Sequence, residues 1–162
     1  MIYSKTCEYA IRALSYLAAK KSKMPATIRE VHAETDVPQA YVAKIFQCLS
    51  HSKIVDSKSG PNGGYFLKVD PDKLTLLQII NALDDISESP LSNCVMGQTE
   101  CNDKNPCCLH PIWAKARKQM SGKLAKETIL NAGKSKKRVY RNQNGRTVLS
   151  KHMQRVFGYS TS

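Results

Sequence analysis

The chain has 162 residues, of which 41% are hydrophobic, and a formal net charge of +12. This length supports one substantial core, and we expect one domain with an appended helix rather than several domains. No apolar run approaches the length of a membrane span, and the N-terminus lacks the basic start and apolar run of a signal peptide, so we expect a cytoplasmic protein with no membrane partner.

The positive charge lies in the last third of the chain. Residues 1–113 contain 12 basic residues (Lys and Arg) and 12 acidic residues (Asp and Glu). Residues 114–162 contain 13 basic residues and one acidic residue. A basic tail of this kind more often contacts polyanions non-specifically than it reads a base sequence. DNA recognition by the N-terminal half must therefore be argued from its motifs.

The first predicted element is an amphipathic helix capped by Ser4. Its apolar residues recur at three-four spacing and comprise Tyr3, Cys7, Ala10, Ile11, Leu14, Leu17 and Ala18. Cys7 is therefore expected in the core. Glu8 lies beside this stripe, and we expect it to be a solvated carboxylate.

Two further short helices should follow, joined by a tight turn. Thr27 and Glu30 have the spacing of a capping box for a helix that runs to about residue 35. Pro38 then lies in the first turn of the third helix, where a missing N–H is harmless. The buried stripe of this helix should be Val42, Ile45, Phe46 and Leu49.

Two short helices with a polar, basic outer face on the second predict a helix-turn-helix, although three ordinary packed helices remain the alternative. Residues 54–57 and 65–69 are alternating runs around a turn that contains Asn62-Gly63, which predicts a hairpin, and a hairpin behind a recognition helix is a wing. Glycines let its amides approach phosphates, and Lys58 can supply charge or enter a minor groove. The candidate contacts to a double-stranded DNA operator are Thr27, Pro38, Gln39, Ala40, Tyr41, Lys44, Lys53, Lys58, Ser59, Asn62, Gly63 and Gly64.

A fourth helix is predicted after Thr75, which forms a second capping-box pattern with Gln78. Its apolar face comprises Leu76, Ile79, Ile80 and Leu83. Because residues 70–103 are acidic, this stretch should face away from DNA.

Residues 94–113, CVMGQTECNDKNPCCLHPIW, contain four of the six cysteines. Five or six residues between soft ligands let a loop direct its side chains toward one centre, and Cys107 lies three residues before His110 at the start of a helix. The candidate metal ligands are therefore Cys94, Cys101, Cys107 and His110. We expect Cys108 to be a buried small residue or a substitute ligand.

Three kinds of site fit this loop. A structural zinc site usually begins with two cysteines two to four residues apart, and the interval from Cys94 to Cys101 is wider. A thiol–disulfide switch is the second kind, since nearby basic residues would favour thiolates. An iron–sulfur cluster suits three thiolates and one imidazole, and it is the kind that we favour.

The segment after His110 predicts a long amphipathic helix, with a kink or break at Gly122. Such a helix has little of its own core left to cover, so we expect it to pair with its copy in a twofold homodimer or to pack on the first helix. The candidate dimer residues are Leu109, Ile112, Trp113, Ala116, Met120 and Leu124. Residues 132–144 are expected to be disordered, and Val148, Leu149, Met153, Val156 and Phe157 to form a short final helix with His152 exposed.

Taken together, these motifs resemble the Rrf2 family of winged-helix transcription regulators, and especially its iron–sulfur members of the IscR and NsrR types. The resemblance covers roughly residues 1–130. It is carried by SKTCEYAIRALSYLA in the first helix, VPQAYVAKIFQCL in the recognition segment, GPNGGYFL in the wing and the run that ends CCLHPIW.

The resemblance implies a homodimer whose operator binding depends on the state of a cluster. By position, Cys94, Cys101, Cys107 and His110 match the ligands of a 2Fe-2S cluster, whereas some relatives use an acidic residue near position 8 from the partner subunit, which makes Glu8 a candidate ligand of a 4Fe-4S cluster. The chain departs from the family in three ways. The first cysteine interval is one residue longer, Ser59 replaces the usual wing arginine, and Ala43 replaces a glutamate of IscR-like proteins.

The sequence thus predicts a mainly α fold with a small β-hairpin, organised as a winged helix-turn-helix (1–70), a linker helix with the cluster loop and dimerisation helix (71–131) and a basic tail (132–162). We expect a regulator that senses redox, nitric oxide or iron status, in which cluster loss changes operator specificity more than total DNA affinity. The alternatives are a zinc-containing or cluster-free thiol switch and an iron–sulfur carrier or small redox protein. No catalytic constellation supports an enzyme.

Overall fold

The computed structural model describes residues 3–20, 24–84, 93–99, 101–134, 139–141 and 147–149. The helices are α1 Lys5–Ala19, α2 Ile28–Thr35, α3 Gln39–His51, α4 Leu76–Leu83, α5 His110–Leu124 and α6 Ile129–Lys134, and the strands are β1 Val55–Lys58, β2 Gly64–Leu67, β3 Val139–Arg141 and β4 Thr147–Leu149. The mainly α class with a small antiparallel hairpin is therefore confirmed. No helix in these ranges is long and apolar enough to span a membrane.

The predicted starts of α1 and α2 are confirmed by their caps. Ser4 Oγ accepts a hydrogen bond from the backbone N of Cys7, and Thr27 Oγ1 accepts one from the backbone N of Glu30. The Glu30 carboxylate accepts from the Tyr16 hydroxyl at 2.5 Å and pairs with Lys20 at 2.7 Å. These contacts connect α2 to the end of α1.

The main core lies between α1, α3 and the segments that flank α4. All four predicted apolar residues of α3 are buried. The stripe predicted for α1 is only partly correct, because Ile11, Leu17 and Ala18 are half-buried whereas Ala13 is fully buried. Since α1 packs against α2, α3, α4 and α6, it is covered on more than one face, and a one-face pattern does not describe it.

The wing is the antiparallel pair of β1 and β2, with a register from Val55↔Leu67 to Lys58↔Gly64. At its base, Ala26 and Tyr65 exchange two backbone hydrogen bonds of 2.8 Å. Gly64 lies at this junction with φ +150°, and a Cβ there would be 2.5 Å from the carbonyl oxygen of Ala26. A glycine is therefore required where the strand passes the chain before α2.

The predicted capping box of α4 is confirmed, with reciprocal bonds between Thr75 and Gln78. The predicted break at Gly122 is wrong, because α5 continues through this residue to Leu124. Gly122 is exposed, and its cost of about 1 kcal/mol relative to Ala does not interrupt the helix.

The chain then makes an unpredicted return to the core through α6. Backbone bonds of 2.9 Å from Leu76 N to Glu127 O and of 2.8 Å from Ile129 N to Leu74 O tie the start of α6 to the start of α4. Ile129 is fully buried in the main core. The cores of the first and second predicted regions are therefore continuous.

The predictions for the tail are wrong wherever the structure describes it. Residues 132–134 belong to α6, and β3 and β4 form an antiparallel pair with Val139 opposite Leu149. Two β-branched runs on either side of Asn144-Gly145 are a hairpin signal that outweighs the helical spacing of Val148 and Leu149. The other residues of the predicted final helix lie outside the described ranges.

Candidate metal centre and nucleic-acid interface

The cysteine loop comprises residues 93–99 and 101–109. Hydrogen bonds connect both of its ends to α5. Trp113 Nε1 donates to the carbonyl oxygen of Asn93 at 2.9 Å, next to Cys94. The backbone N of His110 donates to the carbonyl oxygen of Cys107 at 2.9 Å where α5 begins. The first and last candidate ligands are consequently held close to the same helix end.

The structure brings the four predicted ligands together, and Cys94 contacts both Cys107 and Cys101. The Sγ atoms of Cys94 and Cys107 are 3.9 Å apart, and Cys101 Sγ is 3.4 Å from Nδ1 of His110. Cys94 is 7% exposed and His110 is 6% exposed, so both are largely covered by their neighbours. Sequence spacing had indicated a single cluster of ligands but not these contacts.

The thiols of the loop have different electrostatic surroundings. Hydrogen bonds from the backbone amides of Met96 and Gln98 lower the pKa of Cys94 and thus favour its thiolate. Burial raises the pKa of Cys101, and the positive charge of Arg117 on α5 opposes this increase. Arg117 was not among the residues predicted for the site, because seven positions of helix separate it from His110.

The imidazole of His110 is in contact on both sides. Its Nδ1 faces Cys101, and its Nε2 is 2.9 Å from Oδ1 of Asp103. Asn102 Oδ1 accepts from the backbone N of Lys104 at 3.0 Å and of Asn105 at 3.1 Å, which closes the turn that carries Asp103. Asp103 was not predicted as a site residue either.

The two alternative ligands lie in different surroundings. Cys108 is exposed, so the expectation that it is a buried small residue is wrong. Glu8 is only partly solvated, with 26% of its side chain exposed, and it pairs with Lys5 at 2.7 Å and with Arg12 at 2.5 Å. Both of its ion-pair partners are on α1, since residues three and four apart share a helix face.

The spacings of the donors are close to those of ligands on a tetrahedral ion. Within the described ranges, no group of three or more His, Cys, Asp or Glu side chains is arranged to hold a metal ion. Two thiolates on one tetrahedral ion with bonds of about 2.3 Å lie about 3.8 Å apart, and a thiolate and an imidazole lie about 3.6 Å apart. The separations of 3.9 Å and 3.4 Å are close to these values, so each pair fits one tetrahedral ion.

The predicted DNA-contacting residues lie at the N-cap of α2, on α3, in the segment between α3 and β1, and in the wing. Pro38 is the N-cap of α3 and is half-buried, as are Gly63 and Gly64. The exposed members are Thr27, Gln39, Ala40, Tyr41, Lys44, Lys53, Lys58, Ser59 and Asn62. Tyr41 packs edge-on against Tyr9 with ring centroids 5.2 Å apart, which restricts its ring on the surface of α3.

The residues predicted for a dimer interface have different environments. Ile112 is 72% exposed and Leu109 is 41% exposed, and Val95 and Met96 of the cysteine loop are also exposed apolar residues. Ala116 is exposed and Trp113 is half-buried. Leu124 is buried and Met120 packs beside it, against Cys7 of α1 and Ile80 of α4. The N-terminal part of α5 thus presents an apolar surface, while its C-terminal part packs on its own chain.

Residues 3–132 match the sequence profile of the Rrf2 family, described as an iron-dependent transcriptional regulator. A protein of Aquifex aeolicus described as an HTH-type transcriptional regulator is 32% identical over 122 residues, which span 74% of this chain and 83% of that protein. The HTH-type transcriptional regulator IscR of Klebsiella pneumoniae is 24% identical over 121 residues, which span 75% of this chain and 72% of IscR.

Two solved structures share the fold. The structure titled T. potens IscR has a TM-score of 0.66 at 18% identity and covers 85% of this chain and 89% of its own. CymR of B. subtilis, titled a global cysteine regulator, has a TM-score of 0.68 at 22% identity and covers 82% of this chain and 96% of its own. At these identities the likeness describes the winged-helix architecture and not the ligand.

Proposed function

Because the chain belongs to the Rrf2 family of transcriptional regulators, we propose that it is a DNA-binding regulator of the IscR or NsrR type, in which an iron–sulfur cluster controls binding to an operator. The observation that carries this proposal is the meeting of Cys94, Cys101, Cys107 and His110. The signal would be redox state, nitric oxide or iron status. The family and its relatives are regulators and not enzymes.

A two-iron cluster suits the donors better than a single zinc ion. A structural zinc site needs four donors around one point, and the described part of the chain contains no such group of even three. Four donors that meet with separations of 3.9 Å and 3.4 Å match a 2Fe-2S cluster, which takes four protein ligands. Such a cluster supplies one-electron redox chemistry and is sensitive to oxidants. To bind a 4Fe-4S cluster, Glu8 of a partner subunit would have to break its ion pairs with Lys5 and Arg12.

The packing offers a route from the cysteine loop to the DNA-binding helices. His110 and Trp113 connect the loop to α5, and Leu124 at the other end of α5 packs on Cys7 of α1. Helix α1 in turn packs against α2 and α3. Ordering of the loop by the cluster would therefore change the placement of α3, and in a twofold dimer the spacing of the two recognition helices.

Dimerisation through α5 is the second part of the proposal. Leu109, Ile112, Val95 and Met96 are exposed apolar side chains around the start of this helix. A twofold interface uses the same patch on both subunits, so these residues would face their own copies. Two half-sites would then engage both recognition helices together, and cluster loss would reduce operator specificity more than salt-dependent binding by the basic tail.

The test is an anaerobic purification with iron and sulfide analysis, followed by operator binding of the holo and metal-free proteins at matched salt. We expect about two irons and two sulfides per chain, and different operator affinities for the two forms. Cys107→Ser should abolish the visible absorption, whereas Cys108→Ser, a change in the neighbouring exposed cysteine, should retain it. Equal operator affinity of the two forms would show that the cluster does not control binding.

A thiol–disulfide switch is the second candidate function, and the 3.9 Å separation of Cys94 and Cys107 favours it. In metal-free protein, oxidation of these thiols by hydrogen peroxide would form one disulfide and two water molecules. Peptide mapping after peroxide treatment tests it, with Cys101→Ser as the control that keeps the pair. An iron–sulfur carrier is disfavoured because Cys94 and His110 are buried, and a transferable cluster needs exposed ligands.

A further inference from the structure

The two ring nitrogens of His110 have different neighbours, and this difference determines which nitrogen is available to a metal. Nδ1 is 3.4 Å from Cys101 Sγ, whereas Nε2 is 2.9 Å from the Asp103 carboxylate. A histidine ligand usually donates its second ring N–H to a carboxylate, a carbonyl or water, which fixes the ring orientation and its tautomer. Asp103 has the position of such a second partner.

We infer that Asp103 is a positioning residue that holds His110 so that Nδ1, and not Nε2, is the ligating atom. This inference rests on the proposed cluster. With Nε2–H donated to Asp103, the neutral ring presents the Nδ1 lone pair toward Cys101. Cys94 and Cys107, 3.9 Å apart, supply the two remaining donors.

The local structure supports this orientation in two ways. The His110 side chain is only 7% exposed, so its ring lies in a packed site. A half-turn of the ring would exchange its contacts with Cys101 and Asp103, and the packing opposes such a rotation. The turn closed by Asn102 places Asp103 on the outer side of the ring. The Asp103 side chain itself is fully exposed, so its replacement should alter the ring's partner without disturbing the core.

Pulsed electron paramagnetic resonance of the reduced, anaerobically prepared full-length protein tests which nitrogen binds. Histidine labelled with nitrogen-15 at Nδ1 only, or at Nε2 only, is incorporated into all four histidines of the chain. We expect a strong hyperfine coupling from the Nδ1-labelled sample and a weak one from the Nε2-labelled sample. A strong coupling from Nε2, or none from either label in iron-loaded protein, overturns the inference. Protein without iron or sulfide overturns the proposed function instead.

A variant set tests the role of Asp103. Asp103→Ala should lose iron to a chelator about tenfold faster, since the loss of such a partner typically costs 10-fold to 100-fold in metal affinity. Asp103→Asn keeps an acceptor oxygen and should restore most of the retention together with the Nδ1 coupling. Asp72→Asn, at another exposed aspartate in a turn, is the matched control. Unchanged iron retention and hyperfine coupling in Asp103→Ala overturn the positioning role.

Discussion

Replacement of Ile129 by alanine tests whether α6 is part of the core. Ile129 is fully buried against α1 and the residues around α4, and its backbone N is bonded to Leu74 O at 2.8 Å. The substitution leaves that backbone bond but removes three buried carbons. Such changes cost about 2–5 kcal/mol, and we expect about 3 kcal/mol because the site is closed on all sides.

Urea unfolding of the metal-free, reduced protein at one fixed protein concentration measures this loss. With a slope of about 2 kcal/mol/M, a loss of about 3 kcal/mol lowers the midpoint by about 1.5 M. Leu130→Ala, at the neighbouring half-buried position, is the control and should lower the midpoint by less than half as much. If Ile129→Ala costs less than about 1 kcal/mol, α6 is not integral to the core and the continuity of the two regions is wrong.

Three further predictions concern the loop, the core thiol and the wing. Trp113→Phe removes the donor to Asn93, so iron release to a chelator should accelerate about fivefold, from a loss of about 1 kcal/mol; an unchanged rate would mean that this bond does not hold the loop. Burial raises the pKa of Cys7 from 9.0 to about 12. The unfolded state therefore releases this proton at a lower pH than the folded state, so the free energy of unfolding should fall between pH 9 and about 12. In Cys7→Ala, urea unfolding should show a smaller fall over this range. Lys58→Ala should reduce the salt-dependence slope of DNA binding by about 1, whereas Lys73→Ala, in the turn before α4, should leave it unchanged.

The DNA-binding fold was largely predictable because its signals are local. Ser4 and Thr75 are caps whose partners lie three residues away, and the apolar spacing of α3 needs only one turn of helix to be read. The wing likewise follows from two short runs around an Asn-Gly turn. These features depend on neighbours in sequence, so a single chain is enough to infer them.

The missed features depend on contacts between distant parts of the chain. Only tertiary packing explains the burial of Arg12 and Ala13 on a helix that is covered on several faces. Helix α6 has six residues, too few for an apolar period to stand out, and its location depends on bonds to the segment before α4. The four candidate ligands could be predicted from their spacing in the sequence. The contact of Asp103 with His110 could not, because it depends on the turn that Asn102 closes.

Ser4 caps the start of α1 and also bonds to Asp84 at the end of α4, so it connects these two helix ends. Asp84 accepts from the Ser4 hydroxyl at 2.6 Å and from its backbone N at 3.2 Å, while Ser4 caps α1 at Cys7. Displacement of Asp84, the residue at which α4 ends, would loosen the first turn of α1 and uncover the Cys7 thiol. The rate at which an alkylating reagent modifies Cys7 would then measure how often α1 frays, and a Ser4→Ala chain would be modified faster without any change in the loop itself.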